Sequence, residues 1–148
     1  MAHVDISSEI VIARPLAEVA TFVSNPDNVS QWYVNIKSVE WITPKPAVIG
    51  SHMTFVAHFL GRRLEYTYEV VELIPNKKMV MRTAEGPFPM QTTYMWEEID
   101  ANHTRMILNN SGRPSGFASL AAPLLGRMIR QANEKDLALL KTVLETAV

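Results

Sequence analysis

The chain has 148 residues, no cysteine, 14 basic against 15 acidic side chains, and a hydrophobic fraction of 47%. This length suits one domain with a real core, and the lack of thiols excludes disulfides, thiolate catalysis, zinc–thiolate sites and iron–sulfur clusters. The near-neutral charge argues against a nucleic-acid partner, which would need clustered Lys and Arg. The only basic doublets, Arg62-Arg63 and Lys77-Lys78, fall at expected hairpin turns, where charge is simply solvated. Met1 to Glu9 is too polar for a signal peptide, and no apolar run approaches the roughly 20 residues that span a bilayer. A cytoplasmic location without stable membrane insertion is therefore expected.

Residues 4–13 alternate, with Ile6, Ile10 and Ile12 on one face, and predict a strand. Pro15 suits the first position of a helix. Leu16, Val19, Phe22 and Val23 form its apolar stripe, Glu18 favours its first turn, and Asn25-Pro26 ends it. A second short helical turn is expected from Asp27 to Trp32. Strands then follow. Ile36–Ile42 is closed by Pro44 and Pro46. His52–Leu60 carries Met53, Phe55, Ala57 and Phe59 on one face, and Gly61 begins a tight turn. Leu64, Tyr66, Tyr68 and Val70 alternate with charged and polar neighbours, and Val70-Val71 breaks the alternation as a bulge would. Pro75-Asn76 turns the chain. Met79, Met81 and Thr83 oppose Val80 and Arg82, residues 86–89 form a loop, and Thr92, Tyr94 and Trp96 share a face. Asp100 to His103 turns again before Thr104, Met106, Leu108 and Asn110.

Residues 115–147 read as helix, with Leu120, Leu124, Met128, Ala132, Leu139, Leu140 and Val143 at three- and four-residue steps. Pro123 lies inside this pattern and predicts a short first turn followed by a main helix from Pro123 onward. Short turns between successive strands imply an antiparallel meander. The expected fold is thus α+β, in which a curved seven-stranded antiparallel sheet wraps a long C-terminal helix, with two short helices between strands 1 and 2. No repeat or linker interrupts it, so residues 1–148 are expected to form one domain.

The pattern Pro15-x-x-x-Val19-x-x-Phe22-Val23-x-Asn25, then Trp32, Ile36 and Val39, together with the closing Asp136-Leu137-Ala138-x-Leu140-Lys141 run, resembles the START-like polyketide cyclase/dehydrase superfamily, also called SRPBCC. The resemblance spans the chain and implies the helix-grip fold, in which a sheet grasps one long helix and leaves an elongated cavity. It implies binding of lipids, polyketides, hormones or quinones, and in some members aromatic cyclisation or dehydration. Two subgroups fit poorly. Residues 44–50, Pro-Lys-Pro-Ala-Val-Ile-Gly, do not match the Gly-rich loop of the plant class 10 proteins. The ring-hydroxylating oxygenases need iron ligands and an iron–sulfur domain that this chain lacks.

No constellation of reactive side chains stands out. His52 and His58 share a strand face but lie about 20 Å apart at about 3.3 Å per residue, so no metal site is expected. There is no Gly-x-Ser-x-Gly elbow, dinucleotide fingerprint or Walker loop, and no cofactor is expected. The inward phase instead collects Phe55, Phe59, Tyr66, Tyr68, Met81 and Tyr94, with Trp96 and Met106 beyond them. Any one of these fills core equally well, but several phenols on one concave face are easier to satisfy if a ligand or water reaches them. Asn110, at the end of an apolar row, can anchor a ligand carbonyl or cap the following loop. Trp32 can close the mouth of a pocket or wedge the second helical turn against the sheet, and Met128 brings the helix face to the ligand. Tyr66, Tyr68 and Glu98 are the candidate acid–base groups, although Glu98 reads first as a solvated turn residue and Arg82 as outward-facing.

The expected function is binding of a small hydrophobic ligand (a lipid, a polyketide or another aromatic or isoprenoid compound) in a cavity between sheet and helix. The first alternative is a polyketide cyclase/dehydratase-type lyase, and the second is a protein-interaction module. Monomer and homodimer both remain open.

Overall fold

The computed structural model describes residues 3–59, 61–85, 89–113 and 122–146. Strand β1 (Val4–Ile12) leads into helix α1 (Leu16–Val23), a 3-10 turn (Pro26–Asn28) and helix α2 (Val29–Trp32). Six strands follow: β2 (Ile36–Trp41), β3 (His52–Phe59), β4 (Arg62–Ile74), β5 (Lys78–Glu85), β6 (Met90–Asp100) and β7 (His103–Gly112). The last element is helix α3 (Ala122–Thr146), 25 residues and about 37 Å long at 1.5 Å per residue. The expected loop at 86–88 and the short helical turn before residue 122 lie outside the described residues.

The sheet order is β1-β7-β6-β5-β4-β3-β2, antiparallel throughout. Chain neighbours pair by hairpins from β2 to β7, and β1 closes the order by pairing with β7 from Val4↔Gly112 to Ile12↔Thr104. The bulge expected at Val70-Val71 is present, as a register shift between Val70 and Glu72 against β5. Further shifts lie at Ile36/Ser38 and Glu98/Asp100. Each adds a residue on one strand only, which sharpens twist and bends the sheet around α3. The β4–β5 turn carries Asn76 at φ 62° and the β3–β4 turn Gly61 at φ 73°, where a side chain with little backbone preference is needed.

Pro15 differs from expectation by one position. It stands just before α1 with ψ 148°, extended, and the helix begins at Leu16. Asn25 then caps the 3-10 turn, its Oδ1 accepting from Asp27 N at 3.1 Å.

The core lies between the concave sheet face and the helices. Ile12, Met53, Val70, Met79, Met106 and Leu108 from the sheet meet Val19, Val23, Val29 and Trp32 from α1 and α2, and Leu137, Leu140 and Leu144 from α3. At roughly 1.5–3 kcal/mol per fully buried large apolar side chain, this cluster supplies the main drive to fold. The buried stripe of α3 departs from the apolar spacing read in the sequence: it runs Asn133, Asp136, Leu137, Leu140, Leu144, while Leu124 is 57% exposed. The C-terminal half of α3 is also tied to β1 and the segment that follows it. Arg14 Nε donates to Leu144 O (2.8 Å), Ala13 N to Glu145 Oε2 (2.8 Å), and Lys141 Nζ to Val11 O (2.9 Å). No helix among the described residues is long and apolar enough to cross a membrane.

Candidate functional site

Between the concave sheet face and α2 with the connection that follows it, a cavity of about 90 Å³ is left, lined by Val29, Tyr33, Ile36, Phe55, Tyr68, Met81, Thr92, Tyr94 and Asn110. Its apolar wall follows from strand alternation: Phe55 and Tyr68 sit on β3 and β4, Met81 and Tyr94 on β5 and β6, all on the concave face. The rings of Phe55 and Tyr68 meet edge to face, with centroids 5.6 Å apart. Tyr33 comes from the connection between α2 and β2 and closes the wall from the helix side.

The polar groups at this cavity form two connected sets. Tyr33 and Tyr94 join their hydroxyls at 2.7 Å. Thr92 Oγ1 donates to Asn110 Oδ1 at 2.7 Å, and Asn110 Nδ2 donates across to Asn133 Oδ1 on α3 at 2.8 Å. Asn133 is 2% exposed, and its Nδ2 has no hydrogen-bond partner among the described residues. Burial holds all three phenols in the protonated form. Desolvation pushes Tyr68 up to about 12 and raises Tyr33 and Tyr94 well above the ordinary phenol value, the latter against the opposing pull of its hydrogen bond with Tyr33. At neutral pH these are O–H donors.

On the other side of residues 33–36, a groove of about 250 Å³ opens to solvent between Val34, Asn35 and the α3 residues Met128, Gln131, Ala132, Lys135 and Asp136. Asp136 is only 4% exposed and accepts from Val34 N at 2.9 Å, pinning the α2–β2 connection to the helix. Burial raises its pKa to about 6, against the lowering effect of that hydrogen bond. Its charge also acts on both Tyr33 and Tyr94, which places it within electrostatic reach of the phenol pair.

Of the residues chosen from sequence, Phe55, Tyr68, Met81, Tyr94 and Asn110 come together around the cavity. Trp32, Trp96 and Met106 do not line it: all three are packed in the core, with Trp32 against Tyr33 (ring centroids 4.3 Å apart) and Tyr94 (5.7 Å), as a wedge rather than a lid. Tyr66 shares the face of Tyr68 at 6.2 Å between rings but stands outside the cavity wall. Met128 lines the outer groove instead. Glu98 is a correction. The bulge between Glu98 and Asp100 lies at the end of β6, and the residue is exposed to solvent, remote from the cavity lining. The side chain of Phe59 lies outside the described residues. Sequence reasoning missed Tyr33, Asn133 and Asp136 as site residues. Thr92 was placed in the inward phase with Tyr94 but not recognised as part of the site.

The histidines lie apart from this region. His52 bonds Gly50 O through its ring at 2.8 Å and pairs with Glu69, His103 pairs with Asp100, and His3 and His58 are exposed. Among the described residues, no three His, Asp or Glu side chains converge as a metal site would require.

Residues 3–145 match the family model described as polyketide cyclase / dehydrase and lipid transport. No curated protein matches in sequence. Among solved structures, the Zhui aromatase/cyclase of a Streptomyces species superposes with a TM-score of 0.82 at 15% identity, covering 97% of this chain and 94% of that one. A protein of Thermus thermophilus also gives 0.82, at 16% identity over 97% and 99% of the two chains. A START superfamily protein of Mycobacterium smegmatis gives 0.74 at 14% identity over 95% and 94%. At these identities the likeness is one of fold.

Proposed function

Since the chain belongs to the polyketide cyclase/dehydrase and lipid-transport family, we propose that it binds a small hydrophobic molecule in the cavity between its sheet and the α2–β2 connection. The observation that carries this reading is the 90 Å³ hollow walled by Phe55, Tyr68, Met81 and Tyr94, an apolar chamber with a few convergent polar groups. A solid core needs no such space, because interiors close-pack. The volume amounts to about three waters at roughly 30 Å³ each, so the chamber admits a single small ring or the head of a longer molecule. A larger ligand enters by displacing residues 33–36, which separate the chamber from the outer groove.

Thermal-shift and native mass-spectrometry screens with small cyclic and aromatic compounds test this reading. Binding is expected in the wild type and lost in Ile36→Trp, which fills the chamber from its half-buried edge. A panel without effect on either protein would overturn the proposal.

A second reading, a polyketide cyclase/dehydratase-type lyase, draws on Asp136. A carboxyl that titrates near pH 6 within electrostatic reach of two phenols suits general acid–base catalysis. Tyr68 would then orient the substrate, alongside Asn110. Turnover of a poly-β-keto substrate that follows a pKa near 6 and disappears in Asp136→Asn supports this reading; turnover insensitive to that change removes it.

A further inference from the structure

We infer that the chamber selects a neutral ligand carrying a carbonyl or ether oxygen, which the Tyr33–Tyr94 phenol pair receives through its one uncommitted proton; this inference rests on the ligand-binding reading above. The argument is a count of protons. Thr92 has one hydroxyl proton and gives it to Asn110 Oδ1. Thr92 therefore has no proton left for Tyr68, whose side chain lines the chamber with a hydroxyl proton of its own. Asn110 passes a proton on to Asn133 Oδ1. The row Thr92→Asn110→Asn133 thus runs in one direction, from sheet to helix, and ends on a buried Asn133 Nδ2 whose hydrogens reach no acceptor among the described residues. The phenol pair is a separate set. Two hydroxyls bring two protons and share one hydrogen bond, so whichever phenol acts as acceptor keeps its own proton free.

The phenol pair therefore holds a donor with no protein acceptor recorded for it, and a buried donor left unpaired is costly. A ligand oxygen that accepts a hydrogen bond answers this imbalance, and a hydrocarbon does not. The oxygen must also be uncharged. Among the described residues no Lys, Arg or His lines the chamber, and the Asp136 carboxyl acts on both phenols from the helix side. An anionic ligand would lose its hydration against a nearby negative charge with no cation to offset it.

The phenol count makes an unusual prediction. Tyr33→Phe leaves Tyr94 with its proton, and Tyr94→Phe leaves Tyr33 with its proton, so each single variant keeps one free donor. Only the double variant has none, and all variants are compared in a Tyr68→Phe background, which takes the third phenol of the chamber out of the count.

The test uses [13C-methyl]methionine NMR, with Met81 reporting on the chamber and Met128 on the outer groove. The probes are cyclopentanone, methylenecyclopentane and cyclopentanecarboxylate at pH 7.5. In the wild type, cyclopentanone and methylenecyclopentane shift Met81, and the carboxylate does not. The preference for ketone over hydrocarbon, as a ratio of Kd values, persists in both single variants. It falls by about three- to tenfold in the double variant, the worth of one neutral hydrogen bond. Equal loss in either single variant, or full retention in the double, overturns the proton count. Binding of the carboxylate at Met81 as tightly as the ketone overturns the requirement for a neutral ligand, and needs no variant. If ketone and hydrocarbon bind the Tyr68→Phe background and the double variant with one unchanged ratio, the chamber reading stands and the selectivity falls. If no probe moves Met81, both fall together.

Discussion

The two halves of α3 sit against the same curved sheet and do different things with it. From Leu137 onward the helix is a core element: Leu137, Leu140 and Leu144 are at most 3% exposed, and Arg14, Ala13 and Lys141 fasten this half to β1 and its exit. Before Asn133 the helix is a wall. Leu124 is 57% exposed, Met128 and Ala132 border a groove, and the one backbone tie to β1 among the described residues is a 3.5 Å contact from Arg130 to Ser7 O. Asn133 and Asp136 stand at the junction, and they are the polar residues that the helix buries. A helix held firmly at one end can border an open groove at the other without sacrificing the fold, because core packing and groove lining fall to different turns.

Substitutions along α3 sharpen that contrast. Leu140→Ala empties a fully buried site in the packed half and should lower unfolding stability by about 2–5 kcal/mol, whereas Leu124→Ala in the exposed half should stay within about 0.5 kcal/mol. Urea unfolding monitored by circular dichroism measures both, and similar costs at the two positions would break the distinction.

Asp136, at the junction, gives the next largest effect. Its folded pKa, about 6, is raised from 3.8 by burial. The protonated form is therefore favoured by folding, and the burden of the buried carboxylate is present above pH 6 and relieved as pH falls from 6 towards 3.8. Asp136→Asn keeps an oxygen for Val34 N and removes the charge. It should stabilise the protein at pH 7.5 by about 1–3 kcal/mol, from 1.36 kcal/mol per pKa unit, with the gain over wild type gone by pH 4. A gain of the same size at both pH values would mean that charge burial is not its cause.

The smallest effect belongs to the clamp. Glu145→Gln weakens the acceptor for Ala13 N and removes the partner charge of Lys141. It should cost about 0.5–1.5 kcal/mol and speed amide exchange in the last turns of α3 while leaving the turns before Asn133 unchanged.

This division also explains what could be read from sequence. Strand alternation located all seven strands and put Phe55, Tyr68, Met81, Tyr94 and Asn110 on the concave face, because in a sheet the period of two fixes which side a residue takes. The helix was harder. A stripe through Leu120, Leu124, Met128 and Ala132 assumes that apolar residues are buried, but the sheet does not cover that half of α3. Asn133 and Asp136 turn inward because Asn110 and Val34 N are there to pair with them, contacts between elements remote in the chain. Tyr33 lies on an irregular connection with no period to betray its direction, although its neighbour Trp32 drew notice. Trp32 itself could be read two ways until its packing against Tyr33 and Tyr94 decided for the wedge. Glu98 shares the alternation of Trp96 but lies beside a bulge, at the strand end where the sheet leaves the core.

Xenon-pressurised 13C NMR of the methionine methyls measures most directly whether the space between the sheet and the α2–β2 connection is hollow. Xenon enters small dry apolar cavities and not close-packed core. The chamber predicts a saturable shift at Met81 with Met106, 0% exposed in the packed region, unmoved. Silence at both methyls, or equal response at both, would contradict it.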